Sequence, residues 1–264
     1  MYKTTKYVIL NYVFSWGLFV VVILLALGLN MSFLSDGDSL IMGLITVVYC
    51  WMPNIVLILF FKKLGMNMTV KEFYKNELRA RVNVGILLEI FMLQVAVCAL
   101  SAGITAMIDG VEFITVFGIP KDGILASAFF CLFTGATGEE SGWRGFLLKG
   151  YRQKYILLIS SIFTGMVWAF WHLPIWLLSG YIGAKLIIYI SAFLVSLIAF
   201  TIIMMFYYDK CKNIVVLVFF HYMINFVLSF YMGNDLLYQM LSAVIYAIIA
   251  TVIVLTHKEL YLKK

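Results

Sequence analysis

One polar stretch interrupts a long run of apolar sequence: Thr137-Gly138-Glu139-Glu140-Ser141-Gly142-Trp143-Arg144-Gly145-Phe146. On a helix, Glu140 and Arg144 are four residues apart and share a face, whereas Glu139 points about 100° away. The spacing therefore favours an ion pair between Glu140 and Arg144, which leaves Glu139 free to accept a proton. Acidic residues within a membrane are usually functional. The alternative is an ordinary cytoplasmic helix end, where charged residues cost little.

The composition is that of a protein that crosses the membrane several times. Of the 264 residues, 64% are hydrophobic and 12% are charged, against roughly 25% charged in soluble proteins. The net charge of +6 does not indicate nucleic-acid binding, because the basic residues fall in short blocks between apolar runs, as at a cytoplasmic membrane face. The four cysteines lack C-x-x-C spacing, so they indicate neither a disulfide framework nor a thiolate metal site.

Eight apolar runs are long enough to cross a bilayer, which requires roughly 20 residues. They lie at about 7–29, 40–61, 83–108, 123–147, 156–177, 182–208, 214–231 and 236–256. The predicted fold class is therefore all-α, a polytopic transmembrane bundle of about eight helices that forms one integral membrane domain over residues 1–264. The first run is too long for a signal peptide and is interpreted as a retained helix. Residues 62–81 could form an amphipathic helix on the membrane surface.

The charges of the connecting segments alternate along the chain. Basic residues precede the first apolar run and occupy every second link, whereas the links with acidic residues are those at Asp36 and Asp38, at Asp109, Glu112 and Asp122, and at Asp235. Basic loops stay in the cytoplasm. The pattern therefore predicts eight crossings with both termini in the cytoplasm.

Two further polar stretches lie inside apolar runs. The first ends at His172, which shares a helical face with Trp168 and precedes Pro174, where the helix cannot continue regularly. Taken alone, it is typical of an aromatic belt at the membrane interface. In the second, His221 and Asn225 share a face of the seventh run, and they either join two helices by a hydrogen bond or belong to a functional site.

Three other polar residues have open interpretations. Glu89 and Gln94 in the third apolar run could line the same cavity as the histidines or could satisfy one another. His257 lies just past the last run and beside a lysine, so we expect it to be solvated.

The three polar stretches together resemble the intramembrane CAAX-protease and bacteriocin-processing family, also called the Abi family. Its hallmarks are E-E-x-x-x-R, F-x-x-x-H and H-x-x-x-N/D on three helices of an eight-helix bundle. The first and third are matched in full by Glu139 to Arg144 and by His221 to Asn225, while Trp168 stands in place of the usual phenylalanine. The resemblance covers roughly residues 120–230, which form the motif-bearing core.

The resemblance implies an endopeptidase of the bacterial cell membrane that cuts a peptide or protein substrate near the bilayer. It assigns Glu139 and His172 to the attacking water and His221 and Asn225 to the oxyanion of the tetrahedral intermediate. Arg144 would hold Glu140. Bacterial relatives are linked to peptide maturation and to self-immunity against bacteriocins.

A role for metal is open at this stage, and no cofactor is firmly predicted. Glu139, His172 and His221 could form a catalytic zinc site with three protein ligands and one open position, and names in the family often include metalloprotease. However, the chain contains no H-E-x-x-H, and the resemblance also allows a glutamate-based reaction without metal.

Two other functional classes compete with the protease. A non-catalytic membrane partner or bacteriocin immunity protein could use the same fold, but it would not need all six motif residues. A transporter would also carry intramembrane acids, but the chain lacks inverted repeats.

The depths of the candidate residues conflict with a bundle of straight helices. His172 is predicted to lie about 24 Å from the cytoplasmic start of its helix, whereas Glu139 lies near the cytoplasmic end of its own. The two meet only if the link at 148–156 extends into the cytoplasm as helix, or if the fourth helix is displaced outward.

Overall fold

The computed structural model describes residues 2–28 and 40–264, and these fold almost entirely as helices. The helices before the motif region are α1 (Tyr2–Gly28), α2 (Leu40–Leu59), α3 (Val70–Glu77), α4 (Val84–Asp109) and a 3₁₀ turn at Phe113–Val116. The motif region comprises α5 (Ile124–Cys131), α6 (Thr137–Glu140), α7 (Lys149–Arg152) and α8 (Leu157–Trp171). The remaining helices are α9 (Leu173–Leu178), α10 (Gly183–Cys211), α11 (Ile214–Leu228), α12 (Asp235–Thr256) and α13 (Lys258–Leu262).

The predicted all-α membrane bundle is confirmed. Four helices (α1, α4, α10 and α12) are long and apolar enough to cross a membrane. Three shorter apolar helices, Gly43–Leu59 within α2, α8 and α11, account for three more of the eight predicted runs. The acidic link at Asp36 and Asp38 lies outside the described residues.

The fourth predicted run, 123–147, is not one continuous helix. After α5 the backbone leaves helical geometry at Thr134 (φ −96°, ψ 94°) and at Gly135 (φ +108°, ψ −77°). Glycine adopts such a positive φ without the steric cost that a Cβ would impose. The chain then resumes as α6 and π-helical turns over Ser141–Leu148, which lead directly into α7. The apolar pattern alone did not predict this break, because hydropathy does not report backbone dihedral angles.

The same segment brings Glu139 beside α8. Helical structure continues past the predicted end at 147 to Arg152, and α8 begins at Leu157. Glu139 therefore lies about as far along the chain before the turn at 153–156 as Trp168 lies after it, and the two side chains are hydrogen-bonded. The link at 148–156 is thus partly helical, as the first of the two possibilities requires.

Glycines bring the motif helix against the backbone of α2. A Cβ added to Gly138 would lie 2.7 Å from the Cys50 carbonyl oxygen, and one added to Gly142 would lie 2.8 Å from the Pro53 carbonyl oxygen. Small residues four apart allow this close approach between helices. The Tyr7 hydroxyl of α1 donates a hydrogen bond to the same Pro53 oxygen at 2.9 Å, so three helices meet behind the polar motif.

The predicted surface helix at 62–81 forms only over α3. A capping box between Thr69 and Glu72 starts it, and the hydrogen bond from the Thr69 backbone N–H lowers the pKa of the Glu72 carboxyl. Its last residue, Glu77, is buried and accepts hydrogen bonds from Lys149 and from Tyr208. These contacts tie α3 to α7 and α10.

Candidate active site

Glu139 is a buried carboxylate whose two oxygens have different surroundings. Oε2 accepts hydrogen bonds from the indole N–H groups of Trp143 at 3.1 Å and Trp168 at 2.5 Å. Trp143 lies one helical turn after Glu139, whereas Trp168 reaches it from α8. Since Oε2 is held by two donors, the side chain is fixed and Oε1 is the oxygen available for chemistry.

Glu140 lies in a separate network of charged and polar groups. Its Oε1 accepts hydrogen bonds from Arg144 Nη1 at 3.2 Å and from His221 Nδ1 at 2.8 Å. Arg144 also donates to the Thr201 hydroxyl at 2.7 Å, and its guanidinium lies 3.9 Å from the ring centre of Trp168. The side chains of Glu140 and Arg144 are completely inaccessible to solvent. The i,i+4 ion pair is thus present, and a histidine from another helix joins it.

Gly135 separates Glu139 from His221. A Cβ at Gly135 would lie 3.2 Å from Glu139 Oε1 and 3.0 Å from His221 Nε2. Glu139 Oε1 and His221 Nε2 are therefore no farther apart than the sum of the 3.2 Å and 3.0 Å distances. A residue with a side chain at this position would fill the gap, so the break in the fourth helix and the space between Oε1 and Nε2 depend on the same glycine.

His172 lies at the junction of α8 and α9. The first of these helices ends at Trp171 and does not continue regularly through Pro174, as predicted, and α9 begins at Leu173. Its Nδ1 is 2.8 Å from the Trp168 carbonyl oxygen. A carbonyl can only accept, so Nδ1 carries the proton and Nε2 presents a lone pair. The ring packs against Trp171 and against Phe193 of α10, which restricts its orientation.

One cavity of about 140 Å³ is lined by His172, His221 and Asn225, and by the Trp168 ring that binds Glu139. The Asn225 side chain is half-buried and has no hydrogen-bond partner in the described part of the chain. Glu139 itself is not among the lining residues, because the two indoles and Gly135 lie around it. Three of the four residues assigned to catalysis thus line the same space, and the fourth adjoins it through His221 and Trp168.

The proposed zinc ligands do not form a metal site. Within residues 2–28 and 40–264, no three His, Cys, Asp or Glu side chains converge closely enough to hold an ion. Glu139, His172 and His221 therefore do not fit a three-ligand zinc centre in this conformation.

The other three polar residues considered from the sequence lie in different surroundings. Glu89 is exposed and pairs with Lys210 at 3.0 Å, so it does not satisfy Gln94. Gln94 is buried and lines the cavity. His257 is exposed, as expected.

Sequence reasoning missed several partners of the motif residues. The spacing of Glu139 and Trp143 could have predicted their hydrogen bond, because the two are four residues apart. The contacts of Trp168 with Glu139 and of Thr201 with Arg144 join different helices. No local sequence pattern predicts such contacts.

A membrane bundle that gathers a buried carboxylate, two imidazoles and an amide around one cavity has the groups of an intramembrane hydrolase. The model of the Rce1-like family, type II CAAX prenyl endopeptidases, matches residues 121–227, which include all three motifs. A relative described as CAAX prenyl protease 2, from Methanococcus maripaludis, is 26% identical over 252 residues, which is 90% of this chain and 90% of that protein. Both similarities, together with the membrane bundle, identify the chain as an intramembrane protease.

Proposed function

We propose that the protein hydrolyses a peptide bond with a water activated by Glu139, and that its substrates are peptides with a prenylated cysteine near the C-terminus. The observation that carries the reaction is the gap at Gly135, where Glu139 Oε1 and His221 Nε2 face one space. The substrate class rests on the printed descriptions of the matched family and of its relative.

In the attack step, a water between Glu139 and His172 adds to the scissile carbonyl. Glu139 Oε1 takes the proton of this water, while the His172 Nε2 lone pair accepts its other hydrogen. A positioned base of this kind contributes roughly 10²–10⁴ in rate. Because Glu139 is buried, bulk water does not reach its carboxylate. The bound water is then the hydrogen-bond partner of that carboxylate.

The oxyanion then requires hydrogen-bond donors. His221 is a donor at Nε2 when both its nitrogens carry protons, because Nδ1 already donates to Glu140. The half-buried Asn225 amide supplies a second donor. When the C–N bond breaks, the proton held by Glu139 passes to the departing amine.

Cleavage by the purified protein tests this proposal. A farnesylated peptide with a fluorophore and quencher on either side of the bond after the cysteine should be cut, and mass spectrometry should place the new carboxylate on the cysteine. The same peptide without the farnesyl group is the matched control. Equal cleavage of both would contradict the substrate class, and no cleavage of either would favour the non-catalytic partner or immunity protein on the same fold.

Substrate trapping with the Glu139→Gln variant should identify the natural substrates. Glu139→Gln keeps the shape of the side chain and removes the proton acceptor, so bound membrane peptides should accumulate on the variant and not on the wild type. Peptides recovered equally from both would contradict trapping at this site.

We also propose that the whole chain forms one membrane domain with both termini in the cytoplasm, because basic residues occupy every second link. Topology reporters fused after residues 35, 115 and 235 should report an outer location. A cytoplasmic signal from any of them would contradict the orientation.

A further inference from the structure

The cavity of the active site has a second polar wall that the three motifs do not supply. The motif residues come from α8 and α11, whereas Gln94 comes from α4 and Tyr246 from α12. α10 packs against both α8 and α12, and α4 packs against both α11 and α12. Five helices therefore surround the cavity. The family match ends at residue 227 and begins at 121, so both residues of this wall lie outside it.

Gln94 is held by one hydrogen bond that leaves its other end unsatisfied. The Tyr246 hydroxyl donates to Gln94 Oε1, which orients the amide. Gln94 Nε2 is fully buried and has no partner among the described residues. Tyr246 is itself fixed by an edge-on contact with Phe200, with ring centres 4.6 Å apart. The Gln94 amide therefore belongs to the lining of the cavity, and its position is fixed at the Oε1 end only.

A buried N–H group without a partner destabilises the folded protein unless a ligand accepts its hydrogen bond. Buried polar groups are nearly always hydrogen-bonded, and the cost of an unpaired group grows in a surrounding without water. Gln94 is 1% exposed, so bulk water does not supply the missing hydrogen bond to Nε2. A neutral amide N–H matches a neutral acceptor, and the acceptor that every peptide brings is its backbone carbonyl.

An extended substrate brings more than one carbonyl group to this cavity. Successive carbonyl groups of an extended chain point in opposite directions, as successive side chains do. When the scissile carbonyl accepts from His221 and Asn225 on α11, a carbonyl next to it faces another part of the lining. Gln94 on α4 and Tyr246 on α12 belong to that lining.

We propose that Gln94, oriented by Tyr246, binds a backbone carbonyl of the substrate next to the scissile bond. This inference rests on the proposed protease function and deepens it, because it adds a substrate-binding group to the same cavity. The bond forms in the ground state and persists in the transition state, so it contributes to KM and leaves kcat unchanged.

The test uses the full-length protein in detergent with the farnesylated fluorogenic peptide. Gln94→Met removes the donor at nearly constant volume and should raise KM about 10-fold or more, with kcat within about twofold of wild type. Tyr246→Phe removes only the orienting hydroxyl and should raise KM about threefold. The double variant should resemble Gln94→Met alone, because the two residues act as one unit.

Thr105→Val is the matched control. Thr105 is a buried polar residue on the same helix, bonded to the Ser101 carbonyl and remote from the cavity, so its KM should equal that of wild type. An unchanged KM in both Gln94→Met and Tyr246→Phe would overturn the inference, as would a fall in kcat with constant KM. Should Gln94→Met fail to fold, Tyr246→Phe alone decides. If Glu139→Gln still cleaves at the wild-type rate, the proposed function itself fails, which is distinct from a null result at Gln94.

Discussion

The two walls of the cavity differ in the charge of their polar groups. On the motif wall, Glu139 accepts two indole hydrogen bonds, and Glu140 binds both Arg144 and His221. On the wall from α4 and α12, Gln94 is a neutral amide. Buried polar atoms without a partner occur on both walls: Glu140 Oε2 and Arg144 Nε on the first, and Gln94 Nε2 on the second. We therefore expect the charged wall to act on the scissile bond and the neutral wall to bind a neutral group of the substrate.

A second contrast lies within the motif wall, between two adjacent glutamates. Glu140 is enclosed by cationic groups, while Glu139 meets neutral indoles on one oxygen and an open gap on the other. Neighbouring residues of one type thus have different surroundings. We expect the carboxylate that binds Arg144 and His221 to be structural and the one beside the gap to act as the base.

The largest effects are expected from the two histidines that we propose to be catalytic. His172→Ala and His221→Ala should each lower kcat by about 10²–10⁴-fold, because each removes a group that positions the water or the oxyanion. Either change combined with Glu139→Gln should add little, since residues that act as one unit are not additive. His257→Ala is the control for histidine loss and should leave kcat unchanged. Multiplicative losses in the double variants would argue against a single site.

Loss of one partner of the buried ion pair should act on stability. Glu140→Ala and Arg144→Ala should each reduce the free energy of unfolding by about 3–5 kcal/mol, because an uncompensated charge stays buried. Thr201→Val removes one hydrogen bond to Arg144 and should cost less, about 1.5–3 kcal/mol. Thermal unfolding in detergent measures all three. If the two charge variants are as stable as wild type and merely inactive, the structural role of the pair is wrong.

Asn225→Ala should lower kcat less than the loss of either histidine does. Removing one oxyanion donor lowers kcat by about 10²–10³-fold, and the stability should not change because the amide has no partner in the described structure. Steady-state kinetics with the farnesylated peptide give the ratio. A normal kcat with an altered KM would indicate that Asn225 binds the substrate and does not stabilise the oxyanion.

The sequence predicted the class of protein and one contact of the site, but it did not predict how the helices build the site. Spacings of four residues anticipated the contact of Glu140 with Arg144, and the order of the motifs indicated the family. The bond between His221 and Glu140 joins α11 to the motif helix, so local spacing does not reveal it. The break at Gly135 is a matter of dihedral angles, which an apolar pattern does not encode. Gln94 could only be assigned to the cavity once α4 and α12 were placed.

The rate of the Glu139→Gln variant tests the central claim most directly. With the farnesylated peptide, wild type and Glu139→Gln should differ by about 10²–10⁴-fold in kcat, while their thermal unfolding temperatures agree, since the amide has the shape of the carboxylate. A stable Glu139→Gln protein that cleaves within a few-fold of the wild-type rate would contradict the assignment of Glu139 as the base.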